Sequence, residues 1–199
     1  MLCVPGMDRY DIITHAEEQF AREVGLGVLY LRPLSVWHYL IPGMFIIDFL
    51  RRSSVIRKYT DTFMFPRKLA LQAARSLSAG QTRSAIDSYL ETELKNWLAS
   101  LHLNSHDLIR AQIGAINLLI DHYARLLQVE GDSYYDLIQN AYPSRGSFED
   151  YLLRIAAAEN TVDQAVLAVA GDRPKIKEKL ELEARQVQSR RQKILEDIF

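Results

Sequence analysis

The chain predicts an all-α fold, an irregular multi-helix bundle, on three observations. Apolar residues recur at steps of three and four between Pro, Gly and Ser/Asn/Asp punctuation. No stretch alternates with a period of two for long enough to require a strand. The 199 residues, 48% hydrophobic and 25% charged, match ordinary globular composition with one sizeable core. No internal repeat occurs at a fixed period.

The first helix is capped by Asp8, presents Ile13, Ala16, Phe20, Val24 and Val28 on one side, and closes at Arg32-Pro33. Gly25 and Gly27 weaken its second half by about 1 kcal/mol each relative to alanine, which points to a close contact or a bend. Then comes VWHYLIPGMFIIDFLRR, residues 36–52, almost continuously apolar to Leu50 and interrupted by Pro42-Gly43. As one helix Val36 to Leu50 would reach about 22 Å, short of the ~30 Å of a bilayer's hydrocarbon core. Bent at the Pro-Gly pair, residues 34–52 form an apolar helical hairpin suited to dipping into one leaflet.

A serine-capped helix follows to Phe65, where Pro66 either kinks it or starts the next one, ending near Gly80. Thr82 opens a helix with Ile86, Leu90, Leu94 and Leu98 on one side, and Asn104-Ser105 ends it. From Ser105 to the stop at Gly131 runs the most apolar helix, with Leu108, Ile116, Leu119, Ile120 and Tyr123, and it is expected at the centre. A short helix, Asp132 to Ala141, is cut by Pro143. Ser147 with Asp150 reads as a capping box for the helix that Gly171 ends. Pro174 starts a long amphipathic helix, 174–199, set apart from a helical domain over 1–173. Its stripe of Ile176, Leu180, Val187, Ile194 and Ile198 has nearly heptad spacing, is interrupted by Arg191, and is expected to bind a protein partner or a second copy.

Charge is uneven along the chain. The formal net charge is −1, which gives no support for nucleic-acid binding, yet Arg51 to Arg75 holds seven basic residues against the single acid Asp61, a surplus of about +6. Cationic flanks on both sides of the apolar segment argue that both ends stay on the cytoplasmic face of a membrane. The expected contact residues are Trp37 and Tyr39 at headgroup level, and Leu40, Ile41, Pro42, Phe45, Ile46 and Phe49 in the apolar layer. Arg51, Arg52, Arg57 and Lys58 would meet anionic lipid.

Chemistry finds little footing. Cys3 is the only cysteine, so no internal disulfide or CxxC motif exists, and the N-terminal residues show no secretory signal. Asp11, His15 and Glu18 share a helix face that reads as a solvated charged surface. His102 and His106 have metal-pair spacing that the break at Asn104-Ser105 cancels. His122 reads as a histidine hydrogen-bonded in the core. No Glu-x-x-His pair, glycine-rich phosphate loop or GxSxG elbow occurs, so no catalytic residue, metal ligand or cofactor is assigned. The expectation is a non-enzymatic, membrane-peripheral adaptor or scaffold. The alternative is a soluble helical bundle that binds a small apolar ligand or carries an enzymatic, possibly metal-dependent, activity.

Overall fold

The computed structural model describes residues 8–29, 44–103, 105–171 and 174–199, with Leu29 and residues 44–53 as backbone alone. Among them are seven helices and no strand, an all-α multi-helix bundle. They are α1 (Arg9–Leu29), α2 (Met44–Ser78), α3 (Arg83–Ser100), α4 (His106–Gln128), α5 (Tyr134–Ala141), α6 (Arg145–Ala170) and α7 (Pro174–Ile198).

Local chemistry sets most of the boundaries. Thr82, Ser105 and Ser133 accept hydrogen bonds from Ala85, Leu108 and Asp136 backbone N–H groups, each satisfying a donor that the first turn leaves without a partner. The short helix therefore starts at Tyr134 rather than Asp132. α6 departs from the expected cap: Ser144 is the N-cap and Ser147 the third helical residue, with each side chain bonded to the other's backbone N–H. A serine at the third position closes this box as well as the anticipated acid would have done.

α2 is the larger departure. It runs unbroken for 35 residues, about 52 Å at the helical rise, through both the serines expected to cap it and Pro66. Residues 44–52, expected as one arm of the apolar hairpin, are thus its first turns. Proline removes one backbone bond and does not end the helix, because Met64, Leu69, Ala70, Ala73 and Ala74 on either side are buried. Packing outweighs local preference there. The other arm and its Pro42-Gly43 bend lie outside the described residues.

Five helices close a ring: α1 packs on α2, α2 on α4, α4 on α6, α6 on α7, and α7 back on α1. The hydrophobic core, to which α3 and α5 also contribute, includes Ile13, Leu90, Ile116, Ile120, Leu137 and Leu195, all at most 1% exposed. The glycines of α1 serve close approach. A Cβ on Gly25 would stand 2.6 Å from Tyr59 Cδ1, and one on Gly27 would overlap the Gln186 side chain, so α2 and α7 both press on this helix where it lacks side chains. Arg9 donates to the Leu127 carbonyl at 2.9 Å and Gln139 to the Ile198 carbonyl at 2.7 Å, capping the C-terminal ends of α4 and α7.

Candidate functional site

The centre of the ring is charged. Glu17, Arg67, Glu159 and Arg191 come from four different helices and meet inside it. Arg191 grips Glu159 with both terminal nitrogens, at 2.6 and 2.8 Å. Arg67 Nε reaches Glu17 at 3.0 Å, its Nη2 reaches Glu159 at 3.3 Å, and its guanidinium lies 3.9 Å from the centre of the Phe63 ring. Both arginines are 7% exposed. Burial works against the charge on Glu159, but the fork of Arg191 and the nearby Arg67 outweigh it and hold the carboxyl below its usual range. Two cations and two anions cancel.

This arrangement corrects the expected basic surface. Arg67 belongs to the interior, and Lys68 is paired with Glu18 at 3.0 Å. Arg57 and Lys58 remain exposed. The side chains of Phe45, Ile46, Phe49, Arg51 and Arg52, and residues Trp37, Tyr39, Leu40, Ile41 and Pro42 entirely, lie outside what is described. Among the described residues no helix is long and apolar enough to cross a membrane.

On one side of the quartet is an open chamber of about 230 Å³, with aromatic rings on one wall and Glu23, Arg190, Lys193 and Asp197 also lining it. His122, 2% exposed, stacks on Tyr151 with ring centres 4.3 Å apart. Its Nδ1 lies 2.7 Å from the Tyr142 hydroxyl and its Nε2 3.3 Å from that of Tyr134. One ring nitrogen donates and the other accepts, so both are occupied. Burial first, then Arg191 and Arg125, push its pKa down to about 3. A base that binds protons so weakly, with no free lone pair facing the chamber, is poorly equipped for proton transfer at neutral pH.

The other side is a cleft of about 640 Å³ between α2, α4, α6 and α7, closed at one end by the last turn of α3. It exists because α2 and α6 both lean on α4 without a packed interface between them. Trp97, Leu98, Leu108, Ile155, Val162 and Val166 supply apolar wall. Asp163 and Glu183 line it as well, and among the described residues neither is within ion-pair distance of a cation. Burial, then Glu183 and Glu159, raise Asp163 to about 7; burial likewise raises Glu183, against the pull of Tyr59 and Arg67. The Tyr59 hydroxyl, near Glu183, is buried and falls short of hydrogen-bond geometry with any described group.

No protein-family model, curated protein or solved structure matches the chain.

The remaining sequence-derived candidates are scattered. His15 is exposed and Glu18 turns to Lys68 instead; among the described residues no group of three or more His, Cys, Asp or Glu is placed to hold a metal ion. His102 sits at φ 57 in the break before α4, out of helical register with His106. Along α7, Val187 and Ile198 are buried within the chain, Ile194 packs against the same core, and Ile176 and Leu180 are half-exposed. The stripe is thus largely occupied at its C-terminal end. Arg191, which appeared to interrupt it, faces the centre of the ring.

Proposed function

We propose that the protein binds a small, largely apolar molecule in the cleft between α2, α4, α6 and α7. The observation that carries this reading is the cleft itself: about 640 Å³, with a mainly apolar wall and polar groups among its lining. That size and lining are typical of small-molecule sites, which lie between helices in bundles. The occupied nitrogens of His122 favour binding over catalysis. Titration with the fluorescent apolar probe N-phenyl-1-naphthylamine tests it. Saturable binding at one site per chain is expected, and Ala156→Phe, which fills the cleft, should abolish it while helical circular dichroism is retained. Equal binding by that variant would remove the cleft from consideration.

A second reading is attachment to the cytoplasmic face of a membrane through residues 34–52, as an adaptor. It is favoured by exposed Arg57 and Lys58 on the helix that carries the apolar turns, with half-exposed Ile176 and Leu180 as its docking residues for a protein partner or second copy. Wild-type protein would sediment with anionic vesicles, and Phe45→Glu with Ile46→Glu would release it. Failure of the wild type to sediment would end this reading.

A further inference from the structure

The charges along the cleft are not evenly matched. At its inner end Glu159 is held by Arg191 and Arg67, and Arg67 also by Glu17, so nothing is left over. One helical turn further along α6 stands Asp163, and across from it on α7 stands Glu183. Both line the cleft, and Glu183 lies close enough to disfavour the charge on Asp163. The cations facing this region are few. Arg67 and Arg191 belong to the quartet, and Arg185, exposed at the rim, gives its Nε to the Glu181 carbonyl of its own helix at 3.3 Å. The third polar group is the Tyr59 hydroxyl, which sits beside Glu183 and eases its charge without closing a well-formed hydrogen bond. A buried polar atom without a partner costs stability, and two neighbouring carboxylates cost more, unless something fills the site that satisfies them.

What would satisfy all three is a positive group carrying N–H donors, attached to an apolar body that covers the Trp97, Leu98 and Val162 wall. Resting on the reading of the cleft as a small-molecule site, we propose that its ligand is a cationic amphiphile, a primary or secondary ammonium on an apolar chain or ring, with the ammonium between Asp163, Glu183 and the Tyr59 hydroxyl. An ammonium donates to each carboxylate and to the phenol oxygen, and Tyr59, which stacks on Phe63 with ring centres 5.8 Å apart, adds an aromatic face beside the charge. Carboxylate amphiphiles are disfavoured by the same two acids, because the cationic alternatives are already engaged.

Three probes of equal chain length decide it: dodecylamine, 1-dodecanol and dodecanoate, each below its micelle or solubility limit, displacing N-phenyl-1-naphthylamine from the full chain at pH 8. The amine should bind about tenfold or more tighter than the alcohol, the gain expected of a charge-assisted contact in a partly enclosed site, and the acid more weakly than either. Asp163→Asn with Glu183→Gln should erase the amine's advantage while leaving the alcohol's affinity unchanged, which also reports an intact cleft. Should that double variant not fold, Asp163→Asn alone should lose part of the advantage. Equal affinity of amine and alcohol, or a preference for the acid, overturns the cationic ligand and leaves the apolar site standing. Failure of all three to bind overturns both.

Discussion

The two spaces flanking the central ion quartet differ in their walls, aromatic and charged in one and mainly aliphatic in the other, and in what their polar atoms touch. In the aromatic chamber His122 spends both nitrogens on tyrosine hydroxyls and its ring face on Tyr151. In the cleft, Asp163, Glu183 and the Tyr59 hydroxyl lack such partners among the described residues. A polar network that closes on itself rigidifies a core, whereas one that stays open retains binding capacity for something else. On the proposed reading the smaller space is architecture and the larger one takes the ligand.

The quartet that separates them is the place to break both at once. Arg191→Met takes the two-pronged contact from Glu159, which keeps only Arg67 at 3.3 Å and is itself 30% exposed, and should cost roughly 1–3 kcal/mol in urea unfolding. Combining it with Glu159→Leu should recover part of that loss, since an apolar pair of similar volume replaces a matched ion pair at little cost. A single variant as stable as the wild type would mean that water reaches the quartet freely.

Within the aromatic chamber, Tyr142→Phe removes the 2.7 Å bond to His122 and should cost about 1–3 kcal/mol by leaving a buried ring nitrogen without a partner. Thermal melting of the single variant is sufficient to see it.

Protons distinguish the two spaces by sign. His122 is depressed from its ordinary 6.5 to about 3, so as pH falls below 6.5 the unfolded chain takes up a proton that the fold refuses. Its contribution is complete above 6.5 and is lost toward pH 3, at up to ~1.4 kcal/mol per pH unit. Asp163 is raised from 3.8 to about 7, so the fold holds a proton that the unfolded chain has already released. Its contribution is complete below 3.8 and is lost as pH rises through 7. Asp163→Asn should therefore raise the melting temperature at pH 8 and leave it unchanged at pH 4, while His122→Gln should flatten the acid limb. Parallel shifts of both variants with pH would contradict the assignment.

The smallest effect is expected at Tyr123, fully buried with its hydroxyl unpaired among the described residues. Tyr123→Phe deletes a group that gains nothing from folding and should change stability by within ~0.5 kcal/mol, or raise it slightly. A loss as large as that of Tyr142→Phe would reveal an unseen partner.

Much of the architecture could be read from the chain because it is local. The serine and threonine caps at Thr82 and Ser105, the apolar face of α4 and the entry of α7 at Pro174 depend on neighbours a few residues away. Whether α2 continues past Pro66 or a new helix starts there, the two alternatives open from the sequence, depends on what Met64 and Ala70 pack against and so was not decided by it. The site was harder still. Glu17, Arg67, Glu159 and Arg191 are brought together from four helices, and Tyr134, Tyr142 and Tyr151 converge on His122 from the two ends of α5 and from α6, so no spacing announces either group. One signal was available: a charged residue at position 191, in the register of an apolar stripe, is what a buried ion pair looks like from one side. The same holds for Gly25 and Gly27, whose missing side chains foretold close approach without naming Tyr59 or Gln186.

The ring of helices has a consequence for biosynthesis. Its closing contact joins α1 to α7, and the last charge of the quartet, Arg191, is translated long after Glu17, Arg67 and Glu159. A nascent chain still missing that residue holds Glu159 beside Arg67 with one anion in excess and an open seam where α7 will lie, its apolar core accessible to other chains. Domains acquire structure as they leave the ribosome at about 5–20 residues per second, and unfinished ones are prone to aggregate. For this fold the vulnerable interval lasts until the seventh helix emerges, so slow translation through α6 would prolong the need for chaperones.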